Sequence, residues 1–195
     1  MNKRMIAAAF MLATVGTFTS CSRKVTRLDP NATVDISGSW NNTDSRLVSD
    51  EMITDALSRN WITDYTQQAG KKPVVIVGMV LNKSHEHIEA ETFMKDLERA
   101  FVNGGRVTLV QSGKKREELR AERADQQTNA SVSTMKKFGL ESGADYILQG
   151  SINSIVDAYK RQKTVTYQVN LELTNLQTNE VVWIGDKKIA KYVKN

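Results

Sequence analysis

Every second residue from Val165 to Leu173 is apolar. Val165, Tyr167, Val169, Leu171 and Leu173 alternate with Thr166, Gln168, Asn170 and Glu172. Successive side chains of a strand point to opposite faces of a sheet, so this period predicts a strand with one face buried and one face polar. Ala144 to Ala158 reads as a strand ahead of it. Thr178–Asn179 reads as a turn after it, and Val181 to Ile184 begins a returning strand. Leu176 breaks phase and predicts a bulge at that point. The C-terminal third is therefore expected to be a three-stranded antiparallel meander.

The front of the chain follows another rule. Trp40 opens the domain. Asn42, Thr43 and Asp44 offer N-cap side chains. Leu47, Val48, Met52, Ile53, Ala56, Leu57 and Trp61 then recur at helical spacing, predicting one helix that ends before Gly70. Pro73 blocks continuation and introduces Val74 to Leu81, where seven of eight residues are apolar. The run predicts a strand covered on both faces. After a polar loop, Phe93, Met94, Leu97, Ala100 and Phe101 trace a helical face that Gly104–Gly105 stops. Arg106 to Gln111 is a second short strand. Strand, helix and strand at this spacing predict a parallel crossover.

Nine of the twelve residues from Lys114 to Asp125 are charged, which predicts a solvated helix with i,i+3 pairs such as Glu117 with Arg120. Val132, Met135 and Phe138 mark a further helix that ends near Gly143. The fold class is α/β (α+β): a mixed sheet with a parallel front part and the meander behind it, flanked by helices.

The N-terminus decides compartment. Lys3 and Arg4 precede a mostly apolar run from Met5 to Phe18, then Thr19, Ser20 and Cys21, the single cysteine of the chain. That order is a secretory signal peptide. A lone cysteine at its cleavage point makes it a bacterial lipoprotein signal. The thiolate accepts a diacylglyceryl group as a thioether, and cleavage before Cys21 frees an amine for a further acyl chain. The run of about 14 residues is short of the roughly 20 that span a bilayer. Residues 1–20 are the expected signal, 21–39 the lipidated cysteine and a polar tether, and 40–195 one globular domain. One cysteine allows no internal disulfide, so packing must supply stability. The net charge of +5 falls to about +3 from side chains in the mature chain, with 25 basic against 22 acidic groups. No basic face with interleaved aromatics predicts nucleic-acid binding.

Chemistry-bearing constellations are few. His85-Glu86-His87 follows a strand, and two imidazoles and a carboxylate are metal-ligand types. No third histidine or second thiol completes a set, so a solvated loop is the expected reading and no cofactor is implied. Neither a glycine-rich phosphate loop nor a nucleophile elbow is present. Trp40, Trp61 and Trp183 are expected in the core, although tryptophan is also a favoured interface anchor. The segment from Trp40 to Arg46 reads as a helix cap that tucks Trp40 against the sheet, with a rim around a partner contact as its alternative.

Several segments together carry a resemblance: Gly38-Ser39-Trp40-Asn41-Asn42-Thr43-Asp44-Ser45-Arg46, Lys72-Pro73-Val74-Val75-Ile76-Val77-Gly78, Glu91-Thr92-Phe93, Asp96-Leu97-Glu98-Arg99-Ala100, Gly143-Ala144-Asp145-Tyr146-Ile147-Leu148-Gln149-Gly150 and Glu180-Val181-Val182-Trp183. Over residues 35–193 they resemble the LpoB family of outer-membrane lipoproteins that activate bifunctional penicillin-binding proteins. The Gly-Ala-Asp-Tyr motif is also similar to one in curli-secretion lipoproteins and in the N-terminal domain of Tol-Pal translocation proteins, which share a related fold. Read from the residues alone, Gly143 suits a left-handed helix end and Gly150 a close backbone approach.

The resemblance implies a non-catalytic activator of a class A penicillin-binding protein, lipid-anchored through Cys21 in the outer membrane with its domain facing the periplasm. Trp40, Asp44, Arg46 and Trp183 are its candidate partner-binding residues. The alternative is a structural or secretion-associated lipoprotein, and a third reading is a metal-dependent enzyme centred on His85 and His87. Tethers in the family can be long and rich in proline. Here the 18 residues 22–39 hold one proline, and at full extension they reach roughly 60 Å.

Overall fold

The computed structural model describes residues 25–29, 32–129 and 141–194. The lipoprotein signal, Cys21 and the helix expected at Val132, Met135 and Phe138 lie outside the described residues. The chain divides into two units between Ala32 and Thr33. In the first, the Ala32 amide donates to the Asp29 carbonyl at 2.9 Å. The second, Thr33–Asn195, takes in Thr33–Ser39 ahead of Trp40 and contains every element described below.

Five strands form one sheet in the order β2-β1-β3-β4-β5. They are β1 (Val74–Lys83), β2 (Thr108–Val110), β3 (Tyr146–Tyr159), β4 (Gln162–Asn175) and β5 (Val181–Lys194). β1 pairs parallel with β2 and β3, whereas β3, β4 and β5 form the antiparallel meander. The four described helices are α1 (Asn42–Ser58), α2 (Trp61–Ala69), α3 (Ala90–Gly104) and α4 (Gly113–Asn129). The mixed sheet, parallel front and meander agree with the sequence pattern.

Register decides which residues meet the helices. Directly paired residues share a face. Leu173, Leu171, Val169 and Tyr167 of β4 stand opposite Leu148, Gly150, Ile152 and Ser154 of β3. On the other side they stand opposite Trp183, Gly185, Lys187 and Ile189 of β5. This face and the apolar stripes of α1, α2 and α3 form the core, where Val48, Ile53, Leu97, Phe93, Phe101, Leu148, Tyr167 and Leu171 are all buried. The opposite face carries Thr166, Gln168, Asn170 and Glu172, with Ile155 and Ile184 exposed beside them. α4 has no buried residue, as its charge density predicts.

Five local expectations are corrected. The helix expected from Trp40 to Gly70 is broken at Arg59, which is extended at φ −81°, ψ 159°. The break turns the Trp61 ring edge-on to Tyr146, with centroids 5.0 Å apart. The Trp61 indole N–H donates to the Ala56 carbonyl at 2.8 Å, which also accepts the Arg59 amide, and Arg106 takes the Leu57 carbonyl. The N-cap is Asn41, one residue earlier than expected. β1 is not covered on both faces throughout: Met79 is 64 % exposed. A bulge between Val77 and Val80 aligns those residues with Leu148 and Gly150 of β3 and accommodates the apolar run without burying Met79. The break in phase at the end of β4 is absorbed across the ladder. Leu173 and Thr174 face Trp183 and Val181, so Val182 is the extra residue and Leu176 lies in the turn. Gly143 is not among the glycines with positive φ, so it is no left-handed cap. Gly150 does serve close approach, because a Cβ there would run into the Asn170 carbonyl.

Candidate functional site

The four candidate contact residues all lie on or against α1. Trp40 precedes the helix, Asp44 and Arg46 sit at its start, and Trp183 reaches it from β5 through Asp55. Asn41 opens α1 with a reciprocal cap. Its Oδ1 accepts from the Thr43 and Asp44 amides at 2.9 and 3.2 Å, and Asp44 Oδ2 accepts from the Asn41 amide at 2.9 Å. This satisfies donors that a helix start otherwise leaves free.

The Trp40 amide donates to Glu86 Oε2 at 3.1 Å. Its half-buried ring packs edge-on against Phe93 and Tyr167, at 6.1 and 5.5 Å. The Tyr167 hydroxyl is buried without a hydrogen-bond partner. Burial first, and then the neighbouring Glu86 carboxylate, push its phenol well above the ordinary value. Asp44 is buried and meets Lys191 Nζ at 2.5 Å. Arg46 is partly buried, with its Nε shielded and unpartnered.

Trp183 is 5 % exposed, and its indole N–H donates to Asp55 Oδ2 at 2.8 Å. Asp55 also pairs with Arg59 at 2.5 Å. The indole bond, and then the guanidinium, hold the Asp55 carboxyl below its usual range. Gly185 lies under the Trp183 ring, where a Cβ would collide with it.

Two hollows border these tryptophans. One, of about 580 Å³ between α1 and β5, is lined by Glu51, Asp55, Arg59, Trp183, Asp186 and Lys187. The other, of about 210 Å³, lies beside Trp40 among Asn42, Ser45, His87 and Thr92. Trp40 and Trp183 thus border separate hollows, and Asp44 and Arg46 line neither. Both hollows are open and mixed in character, which suits a protein surface better than an enclosed small-molecule site.

Within the His85-Glu86-His87 loop, His85 and Glu86 make other contacts, and His87 lines the smaller hollow. His85 Nδ1 and its backbone amide both meet Ser154 Oγ, at 3.0 and 2.9 Å, and Glu86 holds Trp40. Among the described residues no group of three histidine, cysteine, aspartate or glutamate side chains gathers as metal ligands do. No described helix is long and apolar enough to cross a membrane.

Sequence reasoning missed Lys191, Asp55 and Asp96. Ser45 Oγ donates to buried Asp96 at 2.7 Å, which joins α1 to α3. Lys191 had a signal: it shares the inward register of Trp183, Ile189 and Val193, where a lysine requires a partner.

The family model described as peptidoglycan-synthase activator LpoB matches residues 44–189. A search of curated proteins finds no match. Among solved structures, the LpoB C-terminal domain from Salmonella enterica is 21 % identical, covering 75 % of this chain and 98 % of its own, with a TM-score of 0.46. That from Escherichia coli is 22 % identical over 75 % and 98 %, with a TM-score of 0.45. Lipoprotein GNA1162 from Neisseria meningitidis is 14 % identical over 62 % and 83 %, with a TM-score of 0.41.

Proposed function

The chain belongs to the LpoB family of peptidoglycan-synthase activators, and on that premise we propose that it binds a class A penicillin-binding protein and stimulates peptidoglycan synthesis without catalysing a step itself. The family match across residues 44–189 is the observation that carries this reading. The lipoprotein signal supports an anchor at Cys21, with the outer membrane as its location and the periplasm as the side on which the domain works. Three acyl chains would make release from a bilayer negligible, because each buried methylene adds about 0.8 kcal/mol.

Activation by a non-catalytic protein has one physical requirement. It must bind the active conformation of the synthase more tightly than the inactive one. A coupling of about 1–3 kcal/mol corresponds to a shift of roughly 5- to 150-fold. The contact is assigned to the α1 side of the domain, where Trp40 and Trp183 border the two hollows. Asp44 and Arg46 would act by setting the start of α1.

Crosslinking in living cells, followed by mass spectrometry, tests the reading. The expected result is a class A synthase captured by photoreactive groups at Asn42 or Glu51, which are exposed near the two hollows. Capture only from the opposite face of the sheet would refute the assigned surface. Absence of any synthase from the captured proteins would count against the function.

A further inference from the structure

The hairpin that joins β3 to β4 runs on past the parallel part of the sheet. β1 pairs with β3 only as far as Lys83 and Asn153, whereas the β3–β4 ladder continues to Tyr159 and Gln162. Every residue from Ile155 to Gln162 is exposed. β5 follows β4 to the same end, where Tyr192 stands opposite Thr164 and Lys194 opposite Gln162. Alternation places Ile155 and Tyr159 of β3 on the outer face of the sheet, together with Tyr192 and Lys194 of β5.

This tip combines two kinds of surface. Ile155, Tyr159 and Tyr192 are 68 %, 73 % and 60 % exposed. Scattered exposed apolar residues are ordinary, but three gathered at one end of a sheet form a patch. Four basic residues stand among them. Lys160 and Arg161 make the turn, Lys163 follows it, and Lys194 ends β5. Among the described residues none of the four has a carboxylate partner. Lys160 Nζ lies 5.2 Å from the centre of the Tyr159 ring. Asp157 is the one acidic residue in 155–163 and 192–194.

Four cations against one carboxylate call for an anionic occupant. The same charge sets two copies of the tip against each other. Tyrosine suits the boundary between headgroups and acyl chains, where its ring is buried and its hydroxyl stays wet. Shape points the same way. A stable protein partner covers about 800 Å² on each side, which needs a broad face, and the tip is the narrow end of three strands. A fluid bilayer closes around such an end.

We propose that the tip is a docking surface for an anionic lipid bilayer, with Ile155, Tyr159 and Tyr192 in the headgroup layer and the four basic side chains on lipid phosphates. The outer face is turned away from α1, where the synthase contact is assigned. The inference depends neither on that contact nor on acylation of Cys21.

Fluorescence quenching of the full chain with vesicles tests it. An environment-sensitive dye is placed at the tip through Gln162→Cys and, as a control, on α2 through Gln67→Cys; both positions are exposed. The parent, treated in the same way, reports any dye taken up by Cys21. The vesicles hold phosphatidylcholine alone or an equal mixture with phosphatidylglycerol, and a lipid with a nitroxide headgroup is the quencher. Any acyl chain at Cys21 is common to both, so the difference between them belongs to the tip. Position 162 should be quenched and position 67 should not. The quenching should require phosphatidylglycerol and disappear at about 1 M salt. Each basic residue near an anionic surface contributes about fivefold. Lys160→Asn with Arg161→Gln should therefore lower the ratio of docked to undocked chain at least tenfold. Asparagine suits the φ of 53° at Lys160. Equal quenching at 162 and 67, equal quenching in the two kinds of vesicle, or a double variant that behaves like the parent would overturn the proposal. So would a photoreactive group at Gln162 that captures protein and no lipid in living cells, which would assign the tip to a protein partner.

Discussion

Lys191 holds two carboxylates from one position, and the two should not be equally costly to lose. Its side chain and that of Asp44 are 8 % and 7 % exposed, while Asp35 is 46 % exposed. Removing one partner of a buried pair strands the other charge, at a cost of about 3 kcal/mol or more. Lys191→Met should therefore destabilise the domain by about 3 kcal/mol in urea titration. Asp35→Ala, which removes a half-exposed partner, should cost less than about 1 kcal/mol. Equal losses would mean that the pair with Asp44 has no special weight. The pH dependence follows from the same groups. The folded Asp35 value lies below its ordinary 3.8, so its contribution is present above 3.8 and lost as pH falls through the lower folded value. The folded Lys191 value lies above its ordinary 10.5, so its contribution is full below 10.5 and lost as pH rises through the higher folded value. After correction for intrinsic chemistry, protection of amides 36–41 should be flat from about pH 5 to pH 9. A transition inside that window would show that another group governs the contact between Lys191 and Asp35.

Strands were more legible than helix ends at the scale of elements. The period of two in β4 carried its register onto both neighbours, because Val165, Val169 and Leu173 face Val156, Ile152 and Leu148 on β3, and Tyr167 and Leu173 face Ile189 and Trp183 on β5. α3 was legible for a similar reason, with Phe93, Leu97 and Phe101 on a single face. The break between α1 and α2 was hidden because Leu57 and Trp61 keep helical spacing across it. Only the contact of Trp61 with Tyr146, 85 residues away in sequence, discloses the turn. The β1 bulge was hidden in the same way, since an apolar run has no phase to break. Ion pairs on α4 were also misplaced: Arg120 pairs with Glu141 at 3.0 Å rather than with Glu117. As α4 buries nothing, Leu119→Ala should shift stability by less than about 0.5–1 kcal/mol. Thermal unfolding checks this, and a loss above about 2 kcal/mol would mean that α4 packs as part of the core.

For the molecule as a whole, the described residues present open hollows along α1 and a polar sheet face, and the family supplies the direction in which to look. The candidate site was legible only in part. Trp40 and Trp183 were visible as large aromatics that needed neighbours, but β5 had to fold against α1 before Asp55 could explain Trp183. Lys191 and Asp35 pair across more than 150 positions of sequence, which no local pattern reports. Purified class A synthase from the same cell, supplied with lipid II, tests the central claim most directly. Adding the full chain should raise the rate of glycan polymerisation in a saturable manner, at a concentration that matches direct binding. No binding and no change in rate with any class A synthase of that cell would contradict it.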